Sequence, residues 1–163
     1  MSATTPPARR SAAEQRKLDA ALTDLFERKI TFNQTLGLKV LHLGPGGPRL
    51  AFEMRPELVG HYQYGRLHGG VISATLDAMA GLAIMVALGE KHVDESAEQV
   101  MHRFARLGTI DLRVDYLRPG IGTQFTASAE ILRLGGRVGS AQMRLVNEDG
   151  TLIATAAASY MLS

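Results

Sequence analysis

The chain has 163 residues, 45% of them hydrophobic and 21% charged, and a formal net charge of +2. That balance fits one globular domain with an ordinary core and excludes a disordered chain. The absence of cysteine excludes disulfides, thiolate nucleophiles and sulfur-ligated metal sites. The basic excess lies partly in Arg9, Arg10, Arg16 and Lys17 and forms no stripe with interleaved aromatics. Nucleic acid is therefore not an expected partner, although an anionic ligand is favoured over a cationic one.

Residues 1–10 are small, proline-containing and basic, and are expected to be disordered. They lack the apolar stretch of a secretion signal, so the expected compartment is the cytoplasm. Leu18, Leu22, Leu25, Phe26 and Ile30 then keep helical spacing, and Ser11 with Glu14 fits a capping box. An amphipathic leader helix follows from that pattern. The expected division is 1–33 for the basic start and leader helix, and 34–163 for the main domain.

Two short strands, "GLKVLHLG" and "PRLAFEMRP", flank the turn "GPGGP". No Lys-Ser or Lys-Thr follows and no helix opens there, so the glycines punctuate a turn rather than cradle a phosphate. A loop, "ELVGHYQYGRL", leads into a long helix over about Gly70 to Leu88. Residues 71–88 reach the lower length limit for crossing a membrane, at about 18 residues. Ser73, Thr75 and Asp77 interrupt them and the chain has no Trp, so a buried core helix is expected and a membrane is not.

"DESAEQVMHRFARLG" predicts a short second helix, with Asp94 as N-cap and Val100, Met101, Phe104 and Leu107 on one side. It either covers apolar surface or roofs a ligand channel. "TIDLRVDYLR" alternates, with Ile110, Leu112, Val114 and Tyr116 to one side and Asp111, Arg113 and Asp115 to the other. Three further strands, "TQFTASAEILRL", "RVGSAQMRLV" and "TLIATAAASYML", follow across "GG" and "NEDG" turns. Strands gathered round one apolar helix predict an α+β domain in which a curled antiparallel sheet of about six strands wraps that helix.

The chemistry concentrates in "LHGGVISATLDAMAG". A carboxylate inside an apolar helix must be paired, neutralised or used. Asp77 is too far along the helix to cap it, and Ser73, Ala74, Ala80 and Gly81 around it are small enough to admit a ligand or another chain. It is the candidate general base for water, or the nucleophile; sequence leaves both open, together with a purely structural buried acid. The helix start offers free N–H groups and a positive dipole end, and Gly69 and Gly70 carry no side chain to block a carbonyl oxygen. That is the layout of an oxyanion hole. His68 either fixes the loop or helps polarise the bond under attack. No serine elbow or HExxH pattern is present.

"LHGG" followed by an Asp inside the helix, with "GTIDLRVDYLRPG" after it, resembles the hotdog-fold thioesterases of the PaaI-like type. The similarity covers about residues 34–163 and is strongest to a bacterial subgroup of medium- and long-chain acyl-CoA thioesterases. It implies hydrolysis of an acyl-CoA substrate without metal or cofactor, as in fatty acid metabolism, by a homodimer often paired into a homotetramer. Its active sites would lie at the dimer interface. The resemblance gives the Gly70 N–H to the thioester oxygen and aligns Thr109 with a hydroxyl that holds the attacking water. The family carries an Asn in the loop before His-Gly-Gly; here His61 stands at that position beside Tyr62 and Gln63, so the side-chain partner of the substrate differs. Arg118 and Arg137, with Arg133 behind them, are placed by resemblance for the phosphates of coenzyme A. The acyl chain is expected along the apolar helix toward Met79, Leu82, Ala83 and Met85, a deformable wall. Two alternatives keep the ligand class: a non-catalytic acyl-CoA binding or sensing module, and a hotdog dehydratase acting on acyl thioesters.

Overall fold

The computed structural model describes residues 9–162; of the expected disordered start, 1–8 lie outside that range. Ser11 accepts the Glu14 N–H and opens helix α1, Ala12–Asp24. The expected leader helix is not continuous. It passes into a π-helical turn, Leu25–Lys29, bends at Ile30 and resumes as α2, Thr31–Leu36. Asn33, buried, donates its side-chain amide to the Phe26 carbonyl at 3.0 Å, satisfying a group near the break. Gly37, at φ +73°, ends α2 in the left-handed conformation that favours glycine.

Strands β1, Lys39–His42, and β2, Arg49–Glu53, follow. The stretch expected as loop folds a small separate hairpin, β3 Val59–His61 and β4 Arg66–Leu67. Helix α3, Gly69–Lys91, then leads to α4, Ala97–His102, a 3-10 turn at Arg103–Arg106, and the strands β5 Gly108–Tyr116, β6 Gln124–Leu134, β7 Val138–Asn147 and β8 Leu152–Met161. Six strands make one antiparallel sheet in the order β1-β2-β6-β7-β8-β5.

The sheet closes on α3. Leu76, Met79, Leu82, Ile84 and Met85 of the helix are buried with Phe125, Ala127, Ala141, Met143 and Leu145 of the strands in one cluster. Each such fully buried large side chain contributes about 1.5–3 kcal/mol. The helix is long and apolar enough to cross a membrane, with mean hydropathy 2.0 over its best window, yet 67% of that window is buried inside the protein. The core supplies its apolar surroundings.

The leader belongs to the same core through Leu18, Leu22, Leu25 and Phe26. Arg10 is fixed by its guanidinium, which donates to the carbonyls of Gly89, His92 and Glu95 around the end of α3. Glu14, whose carboxyl is held below its ordinary range by Lys17 first and the Ala97 N–H second, ties α1 to the start of α4. Ser96, not Asp94, caps α4, in a capping box with Gln99. Ser96 wins because the spacing to Gln99 satisfies two amides reciprocally.

The alternation of β5 is also interrupted. Thr109 pairs with Tyr160 and Asp111 with Ser159, so Ile110 is an extra residue in the ladder. Asp111 repairs the gap by accepting the Ser159 N–H at 2.9 Å. A bulge of this kind re-aims the side chains before it. Beyond the bulge, Leu112 and Val114 stand opposite the inward Ala158 and Ala156; before it Thr109, out of phase by the simple alternation, joins that inner face. Ile110 is left 57% exposed.

Candidate active site

Asp77 lies two turns into α3 and is half-buried, not sunk in the core. Its Oδ1 accepts the Thr109 hydroxyl at 2.9 Å and the Tyr160 hydroxyl, which also lies 2.6 Å from the Asp77 carbonyl. Thr109 and Tyr160 are register partners on β5 and β8, so the bulge at Ile110 is what brings both hydroxyls to one oxygen. Burial, reinforced by the neighbouring carboxylate, pushes the Tyr160 phenol well above its usual range. It therefore remains a donor at neutral pH. Among the described residues Oδ2 has no hydrogen-bond partner, and Asp77 borders a cleft of about 250 Å³ whose other walls are largely apolar. An anchored oxygen beside a free one lets a carboxylate take a proton or attack without losing its orientation.

At the other end of this stretch of α3, His68 is the N-cap. Its Nδ1 accepts the Gly70 N–H at 2.8 Å, and its carbonyl accepts the Val71 N–H at 3.0 Å. The Gly69 N–H is left without a protein partner among the described residues. Glycine is required nearby: a Cβ on Gly60 would lie 2.6 Å from His68 Cα, and one on Gly70 2.9 Å from His68 Nδ1. Tyr116, at the far end of β5, donates to the Gly69 carbonyl at 3.1 Å.

The residues singled out by sequence fall into two groups. One surrounds the helix start: His68, Gly69 and Gly70, with His61, Tyr62 and Gln63 exposed on the β3–β4 hairpin. Tyr62 and Tyr64 flank the His61 ring there, and Arg66 lies 4.4 Å above the Tyr64 ring. Arg118 belongs to this end of the sheet, bonded to the Leu152 carbonyl at the start of β8. The other group is Asp77 with Thr109, and Arg137 lies toward this end, its carbonyl accepting the Leu162 N–H. Arg118 and Arg137 are thus separated by the length of β8, about 30 Å at ~3.3 Å per residue, and within one protomer do not converge. Arg133 is exposed on β6.

Met79 and Leu82 do not line the cleft beside Asp77. Both are fully buried and belong to the core cluster in which α3 packs against the strands. The face toward the cleft carries Ala74, Ala78 and Gly81 instead. Sequence reasoning missed Tyr160. Its signal was present: Ala154, Ala156 and Ala158 occupy the inward positions of β8, and the next inward residue is a lone aromatic with a hydroxyl.

A six-stranded antiparallel sheet curled round one long helix is the hotdog class of α+β fold, and here it carries an acid two turns into the helix and a glycine pair at its start. The comparisons give the family. The model described as the thioesterase superfamily matches residues 64–154, which include His68, Gly70, Asp77 and Thr109 and stop before Tyr160. The chain belongs to the thioesterase superfamily and is a thioester hydrolase. It is similar to the medium/long-chain acyl-CoA thioesterase YigI of Salmonella typhimurium, 42% identical over 85% of this chain and 90% of that one. The YigI protein of Escherichia coli K12 is 41% identical over the same shares. A crystal structure of a Shewanella oneidensis protein related to the thioesterase superfamily superposes with a TM-score of 0.87 at 36% identity, covering 94% of this chain and all of that one.

Proposed function

We propose that the chain hydrolyses medium- to long-chain acyl-CoA thioesters at a site shared by two protomers, with Asp77 directing the attack. The carrying observation is the Asp77 carboxylate, anchored through Oδ1 by Thr109 and Tyr160 and bordering an apolar cleft. The names of the YigI relatives support the substrate class.

In the general-base form, Asp77 takes a proton from water as the water oxygen bonds to the thioester carbon. The carbonyl electrons move onto oxygen, where N–H groups at the helix start hold the charge. Collapse breaks the C–S bond, the coenzyme A thiolate takes the proton from Asp77, and the free acid leaves. In the nucleophile form Asp77 itself bonds to that carbon, expels the thiolate and leaves an anhydride for water to open. Turnover in ¹⁸O-labelled water separates the two, because opening the anhydride at its Asp77 carbonyl leaves label in the protein. Neither form calls on a metal or cofactor.

Two protomers are needed because Gly70 and Asp77 stand seven residues apart on one helix, about 10 Å along its axis. One thioester carbonyl cannot touch both. Strand β5 ends the sheet with its outer edge unpaired and exposes Ile110 and Tyr116, with Leu117 exposed just after it, a surface that proteins ordinarily cover. Thr109, at its start, touches Asp77, while Tyr116, at its end, touches Gly69. Two-fold antiparallel pairing of β5 with its copy would bring each protomer's carboxylate beside its partner's helix start. His61, Gln63 and His68 then face the thioester from that partner, Tyr62 packs on the ligand, and Arg118 of one protomer and Arg137 of the other come toward the same end for the coenzyme A phosphates. The Gly70 N–H reaches the oxyanion by exchanging its His68 contact, with the Gly69 N–H beside it.

Thiol release from a panel of acyl-CoAs tests the proposal. Asp77→Ala and Asp77→Asn should lose about 10²-fold or more in turnover, as for an essential base, with the fold intact by circular dichroism. Wild-type rates in Asp77→Asn reject the mechanism.

A further inference from the structure

The cleft beside Asp77 is walled partly by the leader, which lies outside the family match. Phe26 and Ile30 come from that leader, whereas Phe104 and Leu107 come from the segment between α4 and β5, inside the match. Phe26 and Phe104 meet edge to face, with ring centroids 6.3 Å apart at 71°. Phe26 lies at the level of Gly81: a Cβ built there would lie in ordinary contact, 3.8 Å from Phe26 Cζ and 3.7 Å from the Tyr160 hydroxyl. Gly81 is one turn beyond Asp77, about 6 Å along the axis. The carboxylate therefore stands at one level of the cleft and the aromatic pair at the next. The polar amide of Asn33 is already committed to the Phe26 carbonyl, which leaves an oily floor.

We propose that Phe26 of the leader and Phe104 form the floor of the acyl-chain cleft and set the chain length the enzyme accepts. The inference rests on Asp77 being the carboxylate that directs attack on the thioester. A chain whose carbonyl is held at Asp77 extends past Ala78 and Gly81 and stops against the two rings. The length limit is thus imposed by the leader and the segment before β5, on a catalytic frame supplied by α3 and the sheet. Each methylene that gains or loses a place in such a cleft changes transition-state binding about fourfold.

The test is kcat/KM across saturated acyl-CoAs of increasing length for the full-length wild type, Phe104→Ala and Ala78→Leu, with thermal melts alongside. Phe104→Ala lowers the floor and should shift the optimum to longer chains, raising the long-to-short ratio at least fourfold. Ala78→Leu fills the cleft, removes no packing, and should shift the ratio the other way by a similar factor. Active, folded variants whose optimum stays at the wild-type length overturn the floor assignment and leave the thioesterase reading standing. A wild type that releases no thiol from any acyl-CoA overturns the proposed substrate class, and the floor assignment with it.

Discussion

Thr109 and Tyr160 face each other across the β5–β8 ladder and donate to the same oxygen of Asp77. A hydrogen bond to a charged group is worth about 1.5–3 kcal/mol, so each hydroxyl holds the carboxylate against rotation. Tyr160→Phe and Thr109→Val should each lower kcat by about tenfold or more, with a smaller change in KM, while Thr109→Ser retains most activity. A pure packing role would instead leave kcat unchanged and move only the melting temperature.

A site assembled from two chains can be rescued by mixing. Asp77→Asn lacks the acid, and Gly70→Val crowds the helix start, because a Cβ there would lie 2.9 Å from His68 Nδ1. Co-expressed, the two inactive variants should recover activity, since the heterodimer holds one intact pairing of Asp77 with Gly70. Sedimentation of Ile110→Lys should show monomers with little turnover. An active monomer would refute the shared site.

Glu148 closes the β7–β8 turn onto the start of β6, accepting the Thr123 N–H at 2.8 Å, the Thr123 hydroxyl and the Gln124 N–H. The Thr123 amide first, then its own backbone N–H, lower its carboxyl from 4.5 to about 2. The folded value is depressed, so the stabilisation is present above about 4.5 and is lost as pH falls toward 2. Melting temperatures of wild type and Glu148→Gln should differ most above pH 5 and converge through that window. A gap that stays constant with pH would contradict it.

Arg10 donates to carbonyls at the end of α3 that have no helical partner beyond them. Arg10→Ala should cost about 1–3 kcal/mol and lower the melting temperature by a few degrees. Arg10→Lys, which keeps the charge but not the fork, should recover part of the loss.

The sequence made the frame legible because its signals are local. The long apolar run of α3, the glycine pair that opens it and the period of two in β6 to β8 each depend on neighbours in the chain. Asp77 stood out as an acid in an apolar run. Tyr160 was passed over because its role depends on a helix 83 residues away. The inward turn of Thr109 was hidden by a bulge that a regular alternation cannot reveal. For Met79 and Leu82, apolar periodicity identifies a buried helix face but not which neighbour covers it. The leader was expected as one helix because the π turn at Leu25–Lys29 leaves the spacing of Leu18, Leu22 and Phe26 intact.

Phe26 is both a core residue and a wall of the cleft. Drift in chain preference at this position is therefore filtered by whether the protein still folds, whereas Phe104, which is only half-buried, is freer to vary. Natural diversification of substrate range in this lineage should accordingly run through the segment before β5 first, with the leader changing only in company with compensating replacements on α3.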